Sequence, residues 1–302
     1  MKLAVQHEVA AALARHGPVV ALESTVIAHG LPRPQNLAAA RTLEEDVRGL
    51  GSTPATIAIA DGQAVVGADD ALLVRLAEDP TVAKVSLRDL APVLARRGLG
   101  ATTVAATVEI AARAGITVMA TGGIGGVHRG AERSFDESAD LEAIARNPVC
   151  VVCAGAKLVL DLPLTLERLE TLGVPVVGYG TDEFPAFYVR SSGLPLAHRV
   201  DGALAAARVV REQLARGAGI VIAVPIEASD ALDRREAEAQ VARALEAAER
   251  QRVSGAALTP FLLAQLSDAT GGRSLAANLS LLRANARVAS QIALALAIPL
   301  TH

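Results

Sequence analysis

The sequence predicts an α/β fold: a mostly parallel sheet flanked by helices on both faces, with a helical C-terminal layer. Three observations carry this prediction. Short apolar runs alternate with amphipathic segments up to about residue 230, and such alternation favours a parallel sheet. The runs are continuously apolar, as expected of strands that are buried on both faces. Beyond about residue 230 only helical patterns remain.

The predicted elements follow in chain order. The strands are PVVALES, TPATIAIA, AKVSL, GITVMAT, PVCVVCA, VPVVGYG and GIVIAVP. Between the first two strands, in NLAAARTLEEDVRGLG, Leu43, Val47 and Leu50 recur at helical spacing. The later helices are DDALLVRLAED, ATTVAATVEIAARA, SADLEAIARN, TLERLETLG and DGALAAARVVREQLARG, and then residues 233–250, 258–268 and 274–297. The pair Asp61-Gly62 predicts a tight hairpin turn between two short strands.

Composition narrows the class of protein. No linker, low-complexity tract or repeat interrupts the chain, so we expect one domain over residues 1–302. A net charge of -3 and an aromatic content of 2% argue against nucleic acid as a partner. Charges interrupt every apolar run before the roughly 18 residues that a membrane-spanning helix requires. Because Gln6, His7 and Glu8 also break the N-terminal apolar stretch, we expect a cytoplasmic protein that binds a small molecule.

The two cysteines, Cys150 and Cys153, form a C-x-x-C motif, which can indicate a redox pair or half of a metal site. They lie inside an apolar strand, where an odd separation points the two side chains to opposite faces of the sheet. We therefore interpret them as core residues.

Glu23 lies at the end of the first predicted strand, where apolar sequence gives way to a loop rich in Gly and Pro. In open parallel sheets, ligands bind beyond the carboxyl ends of the strands. A half-buried carboxyl in such a place has a raised pKa, which suits a general acid. The alternative is a buried salt-bridge partner.

The loop TGGIGGVHRGAERSFDESAD follows the strand GITVMAT. Its glycines could gather backbone amides around an anion, although neither the P-loop nor the dinucleotide-binding spacing is present. Asp136 and Asp140 supply the hard oxygen ligands that magnesium or manganese prefers. For Asp136 the alternative is the N-cap of the next helix.

Lys157 lies just past the strand PVCVVCA in an otherwise apolar segment. Lysine is rarely buried without a reason, and burial favours the neutral amine, which can attack a carbonyl-like carbon to form an imine. Lys157 is therefore the candidate covalent residue. Lys84 ends another strand near Arg88 and Asp89, and we interpret it as an anion-binding cation.

Asn278 and Asn285 lie seven residues apart on one face of a predicted buried helix. A buried amide must find hydrogen-bond partners. Each is therefore either a functional residue or a structural tie to a loop.

Several longer blocks resemble the pseudouridine-5′-phosphate glycosidase family from about residue 18 to the C-terminus. The blocks are ALESTVIAHGLPRPQN, KVSLRDL, GATTVAAT, TGGIGGVHRGAERSFDESADL, CAGAKLVLDLPLTLERLETLGVPVVGY and LTPFLLAQLSDATGGRSLAANLSLLRANA. The resemblance implies reversible conversion of pseudouridine 5′-phosphate and water into uracil and ribose 5-phosphate. It also implies a divalent cation, usually Mn²⁺ with others possible, and a homotrimer.

The family's residues carry over position by position. The resemblance implies that Lys157 is the nucleophile, Glu23 the proton donor and Asp136 the metal ligand. The implied substrate contacts are Lys84, Val104, Ser138, Ala139, Asp140, His128 and Asn278.

Other functions stay open at this point. One is another imine-forming enzyme that acts on sugar phosphates, such as a class I aldolase. A second is a relative of the same fold in a pigment pathway. A third, a non-catalytic sugar-phosphate sensor, would need neither Lys157 nor Glu23.

Overall fold

The structure is a computed structural model that describes residues 1–251, 253 and 258–298. Its strands are β1 Leu3–Val5, β2 Val19–Leu22, β3 Thr53–Ala60, β4 Gln63–Val66, β5 Ala83–Val85, β6 Gly100–Thr102, β7 Val118–Ala120, β8 Cys150–Cys153, β9 Val176–Tyr179, β10 His198–Val200 and β11 Ile220–Ala223. Its helices are α1 His7–Ala14, α2 Gln35–Gly49, α3 Asp70–Glu78, α4 Leu87–Ala95, α5 Val104–Ala114, α6 Ala131–Ser134, α7 Ala139–Arg146, α8 Leu162–Thr171, α9 Ala203–Ala215, α10 Arg234–Arg250, α11 Leu258–Ala269 and α12 Arg273–Ala297.

The strands form a mostly parallel, open sheet, as predicted. Its main path runs β1-β4-β3-β2-β7-β8-β11-β9-β10, and β6 joins β3 and β5 beside it. The antiparallel pairings are those of β3 with β4 and with β6. The predicted hairpin joins β3 to β4, and its turn residues Asp61 and Gly62 have φ angles of 52° and 82°. Positive φ at both central residues is typical of a type I′ turn.

Helices cover both faces of the sheet. On one face α12 packs against β2, β7 and β8 and contacts α2 and α9. On the other face α5 contacts β2, β3 and α7, and α7 contacts β11 and α8. The last three helices begin and end within one residue of the predicted bounds, so the C-terminal helical layer is confirmed.

Cys150 and Cys153 are fully buried in β8 and are not joined by a disulfide. Burial raises the pKa of both thiols, which keeps them protonated and unreactive. Their interpretation as core residues is confirmed.

Three short strands, β1, β6 and β10, were not predicted. Each has three residues, too few for a recognisable alternation of side chains. The start of α5 was also predicted too early, because residues 100–102 pair with β3 and β5 instead. Thr103 then takes an extended conformation as the N-cap, and the helix begins at Val104.

The topology places three loops together. Because β2, β7 and β8 are adjacent and parallel, the segments that follow Leu22, Ala120 and Cys153 leave the sheet at the same edge. Among the described residues, none of the helices has the length and apolarity needed to cross a membrane. The single domain over residues 1–302 stays a prediction.

Candidate active site

A cavity of about 570 Å³ lies at this carboxyl edge of the sheet. The structure brings all ten predicted site residues to its wall. They are Glu23, Lys84, Val104, His128, Asp136, Ser138, Ala139, Asp140, Lys157 and Asn278. They come from segments as distant in sequence as residues 23 and 278, so their meeting is a property of the topology.

Glu23 directly follows β2 and is half-buried. Its Oε1 accepts a hydrogen bond of 2.5 Å from the Thr121 hydroxyl. Burial raises the pKa of Glu23; Lys157, Thr121 and Lys84 act against this rise, whereas Asp140 adds to it. Among the described residues Glu23 forms no salt bridge, which removes the structural alternative for this carboxylate.

Lys157 lies in a turn that is tied to the Gly-rich loop. Its amide donates to the Ile124 carbonyl at 3.2 Å, and the Ile124 amide donates to the Gly155 carbonyl at 3.0 Å. Gly155 has a φ of 75°, and a Cβ there would lie 2.0 Å from the Pro185 carbonyl oxygen. Only glycine therefore fits this turn. The backbone of Lys157 is fixed, while its half-buried side chain reaches the cavity.

Lys84 extends from the middle of β5 into the same cavity. Burial lowers its pKa, and the positive charge of Lys157 lowers it further, against the raising effects of Asp140 and Glu23. The chain has three lysines, and two of them share this space. In the part of the chain that the structure describes, neither of the two forms a salt bridge. Both are therefore available to an anionic or carbonyl-bearing ligand.

Asp140 is 6% exposed and joins two parts of the cavity wall. Its Oδ1 accepts a hydrogen bond from the Ala105 amide at 2.9 Å, and its Oδ2 accepts one from the Gly125 amide at 2.8 Å. A Cβ on Gly125 would lie 2.2 Å from Oγ of Ser138 and 2.8 Å from Oδ2 of Asp140. Thus Asp140 clamps the N-terminus of α5 to the Gly-rich loop, and Gly125 provides the close approach.

Asp136 is not the N-cap of α7, so the structural alternative for it is wrong. Ser138 takes that position, and its Oγ accepts a hydrogen bond from the Asp140 amide at 3.2 Å. This capping leaves the Asp136 carboxylate at the cavity wall, 4.0 Å from Nδ1 of His128. Ala139 is exposed and begins the helix.

Asp136 is the candidate metal-binding residue, and His128, a predicted substrate contact, lies beside it. Burial lowers the pKa of His128, and the Asp136 carboxylate opposes this. Among the described residues no group of three His, Cys, Asp or Glu side chains is arranged to hold a metal. The Asp136 carboxylate is the kind of oxygen ligand that a hard divalent cation takes.

Val104 is the first residue of α5 and is buried. Of the first-turn amides, that of Ala105 is bound by Asp140, whereas no acceptor within the described residues pairs with that of Val104. Oγ1 of Thr103 is also buried without a hydrogen-bond partner. The helix N-terminus thus retains donors at the cavity wall.

The two asparagines of α12 have different roles. Nδ2 of Asn285 donates to the Thr121 carbonyl at 2.8 Å and to the Gly122 carbonyl at 3.2 Å. Asn285 is thus a structural tie to the end of β7, whereas Asn278, one heptad earlier, lines the cavity. The structural alternative therefore holds for Asn285, while a functional role for Asn278 stays a prediction.

The cavity wall also includes residues outside the predicted set, among them His29, Thr103 and Thr121. His29 lies in a π-helical turn, Val26–Gly30, and Nε2 of its ring is buried without a partner. Burial lowers the pKa of His29, and the charge of Lys84 adds to this. The available signal in the sequence was position: Thr121 ends one predicted strand, and His29 lies in the loop that follows another.

Comparisons with known proteins agree on one family. A family model described as "Indigoidine synthase A like protein" matches residues 8–295. A pseudouridine-5′-phosphate glycosidase of Myxococcus xanthus is 53% identical over 301 residues, covering 98% of this chain and 99% of the relative. One of Streptomyces griseus is 53% identical over 293 residues, covering 96% and 91%.

Two solved structures match over nearly the full length. A prealnumycin C-glycosynthase in complex with ribulose 5-phosphate superposes with a TM-score of 0.91 at 44% identity, covering 98% of this chain and 97% of that one. An indigoidine synthase A-like protein of Thermotoga maritima superposes with a TM-score of 0.89 at 33% identity, covering 99% and 97%.

Proposed function

The chain belongs to the indigoidine synthase A-like family, and on that premise we propose that it is a pseudouridine-5′-phosphate glycosidase. It converts pseudouridine 5′-phosphate and water into uracil and ribose 5-phosphate, reversibly. The full-length relatives with this name are slightly more than half identical to it. The observation that carries the proposal is that Lys157, Glu23, Lys84 and Asp136 line one cavity.

The bond to be cleaved explains why a lysine is needed. Glycosidases that cut a bond to oxygen can work with two carboxylates, because the leaving oxygen accepts a proton readily. Pseudouridine joins C1′ of the sugar to a carbon of the base, which is a poor leaving group. An amine bonded to C1′ solves this problem, because its lone pair forms the C=N bond as the base departs.

The proposed reaction has three steps. The amine of Lys157 bonds to C1′, the bond from C1′ to the ring oxygen breaks, and that oxygen takes a proton. The bond from C1′ to the base then breaks as the base carbon takes a proton, which leaves a protonated imine. Water hydrolyses the imine, and this releases the open-chain sugar phosphate and restores the amine.

Glu23 is the proposed proton donor. Burial raises the pKa of Glu23, which favours the protonated form that a general acid needs. It can donate to the ring oxygen, recover a proton from the new amine adduct and donate again to the base carbon. Its partner Thr121 occupies only Oε1, so the other oxygen is available to the substrate.

We assign the phosphate to Lys84 and the N-terminus of α5. Lys84 supplies a cation, and the amide of Val104 supplies a donor where the helix carries partial positive charge. Family resemblance adds Ser138, Ala139 and Asp140 as substrate contacts. Asp140 also has a structural role, because both of its carboxylate oxygens already accept hydrogen bonds from backbone amides.

Asp136, beside His128, is the residue that would hold the implied divalent cation. When bound, Mn²⁺ would supply positive charge that orients water and substrate oxygens. Exhaustive chelation should then abolish turnover, and Mn²⁺ should restore it better than Zn²⁺. Full activity after chelation would contradict this assignment.

The deciding experiment is an assay in both directions. Purified protein with Mn²⁺ should release uracil from pseudouridine 5′-phosphate and should form it from uracil and ribose 5-phosphate; Lys157→Arg is the matched inactive control. A sugar phosphate cleaved within its own carbon chain would instead favour an aldolase. The structural similarity to a C-glycosynthase is a reason to test other carbon nucleophiles in the synthetic direction, which would detect a pigment-pathway relative.

The family resemblance also supports a homotrimer as the assembly. Light scattering coupled to gel filtration should then give three times the 31.0 kDa chain mass. A monomeric mass with full activity would contradict the proposal.

A further inference from the structure

The hydrogen bond between Thr121 and Glu23 follows from the register of the sheet. β2 and β7 pair in parallel, with Ala21 opposite Met119 and Leu22 opposite Ala120. The next pair beyond the strand ends is Glu23 and Thr121. The two side chains are therefore neighbours just past the strand ends, and Oγ1 of Thr121 donates to Oε1 of Glu23 at 2.5 Å.

Thr121 is itself held rigidly. Its amide donates to the Val152 carbonyl at 3.0 Å, and its carbonyl accepts from Nδ2 of Asn285 at 2.8 Å. The residue is 2% exposed, and a β-branched side chain has few accessible rotamers. The hydroxyl therefore presents its donor to Glu23 from a fixed place.

The opposite side of the Glu23 carboxylate is open. Within the described residues Oε2 has no hydrogen-bond partner, yet it is not among the buried unpartnered atoms. The charged groups that act on Glu23 are Lys157 after β8, Lys84 on β5 and Asp140 on α7. One oxygen is thus fixed by the protein and the other is left to the ligand.

We propose that Thr121 is a positioning residue for Glu23: its hydroxyl fixes Oε1, so that proton transfer takes place at Oε2. The inference rests on the proposed function, in which Glu23 transfers the protons. A hydrogen bond to a carboxylate also favours its charged form. Losing the hydroxyl therefore raises the pKa of Glu23 further. The limb of the pH–rate profile that depends on Glu23 then moves to higher pH.

The test compares Thr121→Val, which removes the hydroxyl at nearly equal volume, with Thr121→Ser, which keeps it. Thr56→Val is the matched control, because Thr56 is equally buried and donates to Glu44 at 2.6 Å outside the cavity. Thr121→Val should lower kcat by about 10- to 100-fold, part of the 10²- to 10⁴-fold typical of acid catalysis, with little change in KM. Thr121→Ser should stay near wild type, and Thr56→Val should keep the wild-type pH profile.

A second measurement needs no turnover. Infrared difference titration of wild type against Glu23→Gln reports the ionisation of Glu23 directly, and in Thr121→Val its midpoint should rise. An unchanged midpoint, or equal losses in Thr121→Val and Thr121→Ser, would overturn the inference. If wild type failed to cleave pseudouridine 5′-phosphate while the midpoint still moved, the proposed function would fail and the Thr121–Glu23 coupling would stand.

Discussion

Two buried threonine–glutamate pairs in this protein have nearly the same hydrogen bond. At the cavity, Thr121 donates to Glu23 at 2.5 Å; between β3 and α2, Thr56 donates to Glu44 at 2.6 Å. The pairs differ at the second carboxylate oxygen. Oε2 of Glu44 forms an ion pair of 3.2 Å with Arg48, four residues further along the helix, whereas Oε2 of Glu23 has no protein partner in the described residues.

This difference separates a carboxylate that stabilises the fold from one that is available for chemistry. Both oxygens of Glu44 are engaged, and the side chain is 9% exposed, so its hydrogen-bonding capacity is used within the protein. Glu23 keeps one oxygen for a ligand beside two lysines that form no salt bridge among the described residues. A half-satisfied, half-buried carboxylate is unfavourable for stability, and such groups are concentrated at functional sites.

The largest expected effect concerns Lys157, the proposed covalent residue beside the open carboxylate of Glu23. Lys157→Ala and Lys157→Arg should both fold and should both lose turnover by several orders of magnitude, because neither can form an imine. Borohydride with ribose 5-phosphate should leave one ribose phosphate on the Lys157 peptide of wild type and none on the variants. Because the chain has three lysines, mass mapping is unambiguous, and an adduct on Lys84 would contradict the assignment.

The second prediction replaces each of the two carboxylates, Glu23 and Glu44, by the neutral amide of Gln. Glu23→Gln should lower kcat by about 10³-fold, since it removes the proton donor. Glu44→Gln should leave kcat nearly unchanged but should lower the free energy of unfolding by about 0.5–1 kcal/mol, because Arg48 loses one of its two carboxylate partners and keeps Glu8. Steady-state kinetics and urea unfolding of both variants measure this. Equal kinetic losses would remove the distinction between the two pairs.

The third prediction concerns the cations beside the two carboxylates. Lys84→Met should reduce kcat/KM for pseudouridine 5′-phosphate by about 100-fold, the cost of a few kcal/mol for a lost charged phosphate contact. Unphosphorylated pseudouridine should already react about that much more slowly with wild type and should be little affected by the substitution. Arg48→Met, beside Glu44, is the control with unchanged substrate preference. A uniform loss on both substrates would argue against phosphate binding by Lys84.

The smallest expected effect is on stability as a function of pH. Burial raises the pKa of Glu23 in the folded protein, so the folded state binds this proton more tightly than the unfolded chain does. The stabilising contribution is complete below the unfolded pKa and is lost as pH rises through the folded pKa. Glu23→Gln should therefore gain stability relative to wild type as pH is raised. Urea midpoints over that range provide the measurement, and a constant difference would contradict the burial effect.

The sequence predicted the elements that depend on local pattern. Continuous apolar runs mark β2, β3, β7, β8 and β11, and helical spacing gave α10 and α12 to within a residue. Lys157 and Glu23 could be selected because a charged side chain directly after an apolar strand is conspicuous. The short strands β1, β6 and β10 escaped prediction, since three residues outside a longer apolar run show no recognisable period.

Local sequence pattern could not predict which distant residues contact each other. Thr121 was only the last residue of a predicted strand until the β2–β7 register placed it opposite Glu23. Asp140 was a candidate metal or substrate ligand until the structure gave both of its oxygens to the amides of Ala105 and Gly125. Asn278 and Asn285 were indistinguishable by sequence, and only the packing of α12 on the sheet separated them.

By itself, the sequence determined the kind of fold, its family and the side chains able to carry the chemistry, because apolar periodicity and residue type are properties of short segments. Tertiary structure alone decided that both carboxylate oxygens of Glu44 have protein partners while one oxygen of Glu23 is left to a ligand. That choice depends on contacts between residues as far apart as Glu23 and Thr121, and these are set by strand register and helix packing over the whole chain.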